Sequence, residues 1–212
     1  MPTLLLTLIA PAAAAVGALV TKRIWLKMAV PILTAAILAA SALANTIWSP
    51  TLWSIVGALI LSAIGDHFLS NMSDENDYFI RGIALYGLAH VGYLAAALFN
   101  AGINLLVLGV LGVVLIGYFF LVLAPAITER ALSVAVLIYI LLSCATMAAA
   151  VTMVWPSPSP LLYSIGIGLI LFSDLMISLH EFKRVRGAHH LILPTYYVAH
   201  LSIGASVLLL LV

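Results

Sequence analysis

The sequence predicts an all-α membrane protein, a polytopic bundle of eight transmembrane helices. Hydrophobic residues make up 65% of the 212 positions and charged residues only 7%, whereas soluble domains carry about 25% charged residues. Eight apolar segments have the length of about 20 residues that a membrane helix needs. Only short polar or proline-containing connections separate them, so we expect residues 1–212 to form a single integral membrane domain.

The first four spans are predicted at 3–20, 28–46, 51–70 and 79–99. Lys22 and Arg23 interrupt the apolar sequence after the first span, and Pro50 follows the second. The segment 73–77 contains three acidic side chains and is the most polar stretch of the chain. It therefore separates the third span from the fourth.

The last four spans are predicted at 102–124, 131–154, 161–180 and 191–212. A short turn at 100–102 precedes the fifth span, and the segment 125–130 follows it. The proline-rich segment 156–160 is predicted as a rigid turn, because a proline inside a helix removes a hydrogen bond and clashes with the preceding turn. The segment 181–190 forms the seventh connection, so His189 and His190 are expected in a loop.

Basic residues indicate how the bundle lies in the membrane. Eight spans place the odd-numbered connections on one side, here called the odd side, and the even-numbered connections on the other. All eight Lys and Arg residues lie in odd connections or at the helix ends beside them: 22, 23, 27, 81, 130, 183, 184 and 186. Positive residues stay on the cytoplasmic side, so we expect a multi-pass cell-membrane protein with the odd side in the cytoplasm and both termini outside. A net charge of +1 argues against nucleic acid as a partner.

Two spans carry a carboxylate within apolar sequence. Asp66 lies in the third span and Asp174 in the seventh, and each is followed on the next span by an Ala-His pair. The histidines are His90 and His200, at separations of 24 and 26 residues from the aspartates. The pattern suggests two parallel four-helix halves, with chance similarity of short segments as the alternative.

The aspartates belong to a predicted polar layer on the odd side. They precede the ends of their predicted spans by four and six residues, which corresponds to depths of about 6–9 Å at about 1.5 Å per residue. Two imidazoles and three phenols lie in the same half of the membrane: His90, His200, Tyr93, Tyr196 and Tyr197.

This layer is a candidate active site, because ionisable groups inside a membrane are costly and usually functional. Two close carboxylates repel each other, so one would keep its proton near neutral pH, which provides a general acid and a general base. Structural pairing that only fixes helix packing is the alternative. The histidines show no His-x-x-x-His spacing, so a metal site would need ligands from separate spans, and no metal or other cofactor is expected.

Short motifs distributed along nearly the whole chain resemble those of a known family. They are Lys27 at the start of the second span, Gly65-Asp66, Gly82 with Ala89-His90, Phe172-Ser173-Asp174, and Thr195-Tyr196-Tyr197-Val198-Ala199. In order and spacing they resemble the YhhN-like transmembrane lysoplasmalogenases. His200 departs from the pattern, because many relatives carry glutamine there, and this leaves the role of His200 open.

The resemblance implies hydrolysis of the vinyl ether bond of a lysoplasmalogen, which is a lysophospholipid. The products are a fatty aldehyde and a glycerophospho-alcohol, and Asp66 and Asp174 are implied as the catalytic pair. The chemistry is compatible, because glycosidases use two carboxyl groups around a related cation. The residues expected to bind the substrate are Lys27, His90, Tyr93, Tyr197 and His200, with membrane lipid around the bundle.

Two other functions use the same residues. A proton-coupled transporter or lipid carrier would use the aspartates as a proton relay, and a broken helix at mid-membrane would favour it. A metal-dependent lipid hydrolase is the second alternative. The sequence makes no prediction about oligomeric state.

Overall fold

A computed structural model describes residues 6–21, 23–70, 76–153 and 158–210, and within these ranges the regular secondary structure is entirely helical. Each predicted span corresponds to one α-helix. The helices are α1 (Ile9–Thr21), α2 (Ile24–Ala44), α3 (Pro50–Ser70), α4 (Asn76–Leu98), α5 (Leu105–Tyr118), α6 (Arg130–Ala150), α7 (Ser159–Lys183) and α8 (His189–Leu210).

The helices have the lengths and composition of membrane spans. Seven helical segments in the described ranges are long and apolar enough to cross a membrane: α2 to α4, α6 to α8, and α5 together with the tighter and wider turns that continue it to Ala126. Helix α1 is apolar but has 13 residues, and residues 3–5 of the first predicted span lie outside the described ranges. The predicted fold class, a polytopic bundle of membrane helices, is confirmed.

The starts of α2, α4 and α5 differ from the predicted boundaries by three or four residues, and α4 begins at Asn76 rather than at 79. Helix α2 begins at Ile24 rather than at 28, so Lys27 lies in its first turn. Helix α5 begins at Leu105 rather than at 102, because the Asn104 side chain accepts a hydrogen bond from the Val107 N–H at 3.0 Å and caps the helix. Beyond Tyr118 the helix widens into a π-helical turn at Phe119–Leu123, followed by a 3₁₀ turn at Ala124–Ala126.

Helices α7 and α8 are longer than predicted on the odd side. Helix α7 continues to Lys183, and α8 begins at His189, so His189 and His190 are helical rather than in a loop. At its other end α7 begins at Ser159, with a proline in its first turn, where the missing N–H is not needed. Residues 73–75 of the predicted polar connection, 154 of the sixth span, 156–157 of the predicted turn and 211–212 of the last span lie outside the described ranges.

Helix packing brings distant parts of the chain together on both sides of the bundle. The most extensive contacts join α3 with α4 and α7 with α8, while α4 also packs on α6 and α2 on α8. Gly92 and Gly166 permit the two close pairs, because a Cβ at either position would lie 2.9 Å from a carbonyl oxygen of the neighbouring helix. The α3–α4 and α7–α8 pairs correspond to the aspartate–histidine units of the sequence, but the division into two halves stays a prediction.

The apolar core and the polar residues occupy different levels of the bundle. The largest apolar cluster includes Leu38, Ile55, Leu59, Ile167 and Ile203 and lies toward the even-numbered connections. Both aspartates lie closer to the odd ends of α3 and α7. The packing therefore leaves space for a polar site on the odd side of a rigid apolar core.

Candidate active site

Asp66 is held between two phenols. It lies one turn before the end of α3 and is 8% exposed. Its Oδ1 accepts a hydrogen bond from the Tyr86 O–H at 2.5 Å, and its Oδ2 accepts one from the Tyr196 O–H at 3.0 Å. The two tyrosines come from α4 and α8, and their rings meet edge to face with centroids 6.2 Å apart. The carboxylate thus connects three helices, and each of its oxygens has an O–H donor.

Asp174 on α7 has one phenol and one imidazole beside it. Its Oδ2 accepts a hydrogen bond from the Tyr139 O–H of α6 at 2.6 Å. The His90 Nε2 atom of α4 lies 2.9 Å from the Tyr139 oxygen and 3.8 Å from Asp174 Oδ2. Because the single Tyr139 proton is donated to the carboxylate, the protonated Nε2 of His90 is the donor to the phenol oxygen. The three side chains form a His90–Tyr139–Asp174 chain.

Both aspartates line one cavity of about 200 Å³, here called the polar cavity. The sequence predicted that both aspartates lie in one polar layer, and their shared cavity agrees with that prediction. The rim of the cavity lies beside the α7–α8 connection and carries Lys27, His180, Glu181 and His189. His180 Nε2 lies 3.8 Å from Glu181 Oε1. The polar cavity therefore has charged groups of both signs at its rim and two carboxyl groups inside.

A second cavity, of about 90 Å³ and here called the apolar cavity, adjoins the first between α4, α5, α6 and α7. Asp174 and Tyr86 line both cavities, whereas Asp66 lines only the polar one. The walls of the apolar cavity are mainly hydrophobic side chains: Leu69, Phe79, Ile83, Leu115, Leu123, Val136, Ile140, Leu171, Leu175, Ile177 and Phe182. Asp174 therefore stands where a polar space meets an apolar one.

The depths of the aspartates along their helices differ from the sequence-based estimate. Asp66 precedes the end of α3 at Ser70 by four residues, as predicted. Asp174 precedes the end of α7 at Lys183 by nine residues rather than six, because α7 extends further. The two side chains nevertheless line one cavity.

The site lies within a region matched by a known family. The sequence model of the YhhN family matches residues 26–207, a range that includes both aspartates and all the residues around them described above. The chain belongs to the YhhN family. No curated protein sequence and no solved structure matches it.

Of the five substrate-binding residues expected for this YhhN protein, only Lys27 lines either of the two cavities. His90 is buried behind Tyr139. Tyr93 is 1% exposed, and its carbonyl oxygen accepts a hydrogen bond from the Tyr163 O–H at 2.7 Å. A substrate contact of either residue stays a prediction.

Tyr197 and His200 are also buried away from the two cavities. Tyr197 packs in a cluster with Ala18 and Val30, because it follows Tyr196 by one residue and points about 100° away from it on the helix. His200 is fully buried, and its Nδ1 lies 2.9 Å from the carbonyl oxygen of Tyr196. Their predicted contacts with substrate remain untested.

Of the three phenols in the YhhN site, Tyr196 was expected in the polar layer, whereas Tyr86 and Tyr139 were not predicted from the sequence. Tyr86 precedes His90 by four residues, and Tyr196 precedes His200 by the same distance. The sequence echo is therefore Tyr-x-x-Ala-His rather than Ala-His, and this spacing contains the signal for Tyr86. Tyr139 has no such signal, because it is a single tyrosine in an otherwise apolar span.

The described residues of this YhhN protein include no group of three or more His, Cys, Asp or Glu side chains placed to hold a metal ion. The two carboxyl groups instead have phenol donors. The arrangement suits proton transfer, because it combines two titrating groups, fixed hydrogen bonds and a cavity that can admit a reacting molecule.

Proposed function

We propose that this protein is an intramembrane hydrolase of lysophospholipids, a lysoplasmalogenase that cleaves a vinyl ether bond. The main support for the proposal is that two carboxyl groups line a polar cavity that adjoins an apolar one. A lysoplasmalogen has a phosphate-bearing head and one apolar chain, and its reactive bond lies where these two parts meet. The polar cavity would suit the head and the apolar cavity the chain, with Asp174 where the two cavities meet.

The chemistry of vinyl ether hydrolysis matches a carboxyl pair. Protonation at carbon forms an oxocarbenium ion, which water captures to give a hemiacetal that collapses to an aldehyde and an alcohol. One carboxyl group would supply the proton, and the other, as a carboxylate, would stabilise the cation and accept a proton from water. The phenols of Tyr86, Tyr196 and Tyr139 would hold the carboxyl groups in fixed orientations.

The rim of the polar cavity suits the head of the lipid. Lys27 is half-buried and lines the cavity, and a lysine can bury its methylenes while its ammonium reaches a phosphate. The lipid chain would extend into the apolar cavity, which reaches Ser143 and Leu171. Substrate supplied by the surrounding membrane would enter with its chain already in an apolar phase.

A proton-coupled transporter is the alternative that the same aspartates suggest. Transporters place such residues at broken helices near mid-membrane. In this protein α3 and α7 are continuous helices through Asp66 and Asp174. The π-helical turn at Phe119–Leu123 belongs to the end of α5, and Leu123 lines the apolar cavity, but neither carboxyl group lies on this turn. Helix continuity therefore favours the hydrolase.

We propose further that the polar cavity opens to the cytoplasmic side of the cell membrane. Its rim lies on the odd side, where every basic residue of the sequence is also found, and positive residues stay in the cytoplasm. A reporter fused to the C-terminus should then be active outside the cytoplasm. Reporter activity inside would contradict this orientation.

Turnover of defined lipids by the purified protein tests the function. A 1-alkenyl lysophospholipid should release a fatty aldehyde, whereas the 1-alkyl analogue, which lacks the double bond, should remain intact. Asp77, exposed in the first turn of α4, provides a control for the loss of a carboxylate outside the site. Asp77→Asn should retain turnover, and Asp66→Asn and Asp174→Asn should lose it.

Two results would reject the proposed function. The absence of aldehyde from folded parent protein would reject vinyl ether hydrolysis. Release of a fatty acid from a 1-acyl lysophospholipid, without aldehyde from the alkenyl lipid, would indicate an ester hydrolase instead.

A further inference from the structure

We infer a division of labour between the two carboxyl groups: Asp174 is the acid that protonates the vinyl ether carbon, and Asp66 is the carboxylate that faces the cation and its attacking water. The inference rests on the proposed function, and it assigns each proton of that reaction to a residue. It follows from three features of the site.

The first feature is the order of atoms in the substrate. From the head to the tail, the glycerol oxygen is followed by C1, then C2, then the saturated chain. The proton is delivered to C2, on the chain side, whereas the positive charge and the incoming water belong to C1 and its oxygen, on the head side. The acid must therefore stand closer to the chain than the carboxylate does.

The second feature is the position of each aspartate relative to the cavities. Asp174 lines both the polar and the apolar cavity, and Asp66 lines only the polar one. A lipid whose chain occupies the apolar cavity would present C2 at the junction beside Asp174. Its C1, its ether oxygen and a water molecule would lie in the polar cavity with Asp66.

The third feature is the number of hydrogen bonds that each carboxyl group accepts. Both oxygens of Asp66 accept a hydrogen bond from a tyrosine O–H, and this suits an ionised carboxylate. Asp174 accepts one at Oδ2 from Tyr139, and no described residue donates to its Oδ1. Oδ1 is therefore available to carry a proton and to direct it at the substrate.

The assigned protons balance over one turnover. The Asp174 Oδ1 proton is transferred to C2, and the electron pair of the double bond forms the new C–H bond, which leaves the cation at C1. Water attacks C1 and loses a proton to Asp66. The bond from C1 to the glycerol oxygen then breaks, the glycerol oxygen takes the proton from Asp66, and the hemiacetal hydroxyl returns a proton to Asp174.

Hydrolysis in D₂O tests the assignment through the configuration at C2 of the aldehyde, reduced at once to the alcohol to prevent exchange. Parent protein should introduce one deuterium in a single configuration. Asp66→Asn should be slower by about 10²–10⁴-fold but keep that configuration in its residual product, because Asp174 still delivers the deuterium. Asp174→Asn should lose a similar factor and give both configurations, because solvent then supplies the deuterium.

Three other results would reject either the proposed function or the division of labour. A parent protein that forms no aldehyde rejects the proposed function itself. A parent that hydrolyses the lipid with a single configuration, combined with a racemic product from Asp66→Asn, overturns the division of labour. A single configuration that persists in Asp174→Asn also overturns it.

Tyrosine variants provide a second test that needs no residual activity of the aspartate variants. Tyr139→Phe removes the O–H that positions Asp174, so proton transfer should become slower, turnover should fall about tenfold, and the solvent isotope effect on kcat should rise. Tyr163→Phe is the matched control, because Tyr163 is a buried tyrosine that donates to a backbone carbonyl and lines neither cavity. An isotope effect that rises in Tyr196→Phe and stays at the parent value in Tyr139→Phe would overturn the assignment.

Discussion

The Tyr-x-x-Ala-His segments of α4 (86–90) and α8 (196–200) are the same sequence unit with two different outcomes. Their tyrosines act alike, because Tyr86 and Tyr196 each donate a hydrogen bond to one oxygen of Asp66. Their histidines do not. His90 reaches Asp174 through Tyr139, whereas the Nδ1 atom of His200 lies 2.9 Å from a carbonyl oxygen of its own helix.

The difference comes from the helix on which each unit packs. Helix α4 packs on α6, which supplies Tyr139, whereas α8 packs on α7 and α2. Helix α2 contains no tyrosine and no histidine. A repeated motif therefore specifies a side-chain position, and the neighbouring helix decides which polar network the side chain joins.

Substitution of either carboxyl group that the two units contact should reduce turnover more than any other change. Asp66→Asn and Asp174→Asn should each lower kcat by about 10²–10⁴-fold, and the double variant should be little worse than either one because the groups act in one reaction. Turnover and melting temperature should be measured on the same samples. Near-parental turnover in a folded Asp174→Asn protein would remove the carboxyl pair from the mechanism.

The next effect tests whether the two tyrosines are equivalent. Tyr86→Phe and Tyr196→Phe each remove one O–H from Asp66, and a hydrogen bond to a charged group contributes about 1.5–3 kcal/mol. If that contribution is realised in the transition state, kcat should fall by about 10–100-fold in each variant. Loss of activity in only one of them would show that the two units differ already at their tyrosines.

A smaller effect separates the two histidines. His90→Asn should lower kcat about tenfold, because Tyr139 loses a neighbour that fixes its orientation. His200→Gln should change kcat less than about twofold, because the hydrogen bond of its Nδ1 is made within its own helix, and any cost should appear in the melting temperature. Equal losses of kcat in two folded variants would contradict the division between the units.

The smallest effect concerns the space beside Tyr86. A Cβ at Gly65 would lie 3.1 Å from Tyr86 Cε2, so Gly65→Ala should displace the phenol slightly from Asp66 and lower kcat about threefold. Gly57→Ala in the same helix is the control, since nothing lies within 4 Å of its Cβ, and it should raise stability by up to about 1 kcal/mol. Identical kinetics of the two variants would argue against fine positioning of Tyr86.

The fold was predictable because it depends on hydropathy, which is local in sequence. The aspartates were predictable because a charge in apolar sequence stands out, as Asp66 and Asp174 do. Their partners were not, because Tyr139 becomes informative only when α6 packs on α4. His180 and His189 were not predicted as rim residues of the cavity. The spans were predicted to end at 180 and to begin at 191, whereas α7 extends to Lys183 and α8 begins at His189.

Helix α5 is a wall of the apolar cavity, yet none of the residues Leu105–Tyr118 is buried, and the helix packs mainly on α6. The carboxyl groups are held instead by α3, α4, α6, α7 and α8. Under the proposed function, the wall beside the lipid chain could shift outward without disturbing the hydrogen bonds at the reactive bond. We therefore expect the protein to discriminate strictly between bond types while it accepts fatty chains of different length and unsaturation.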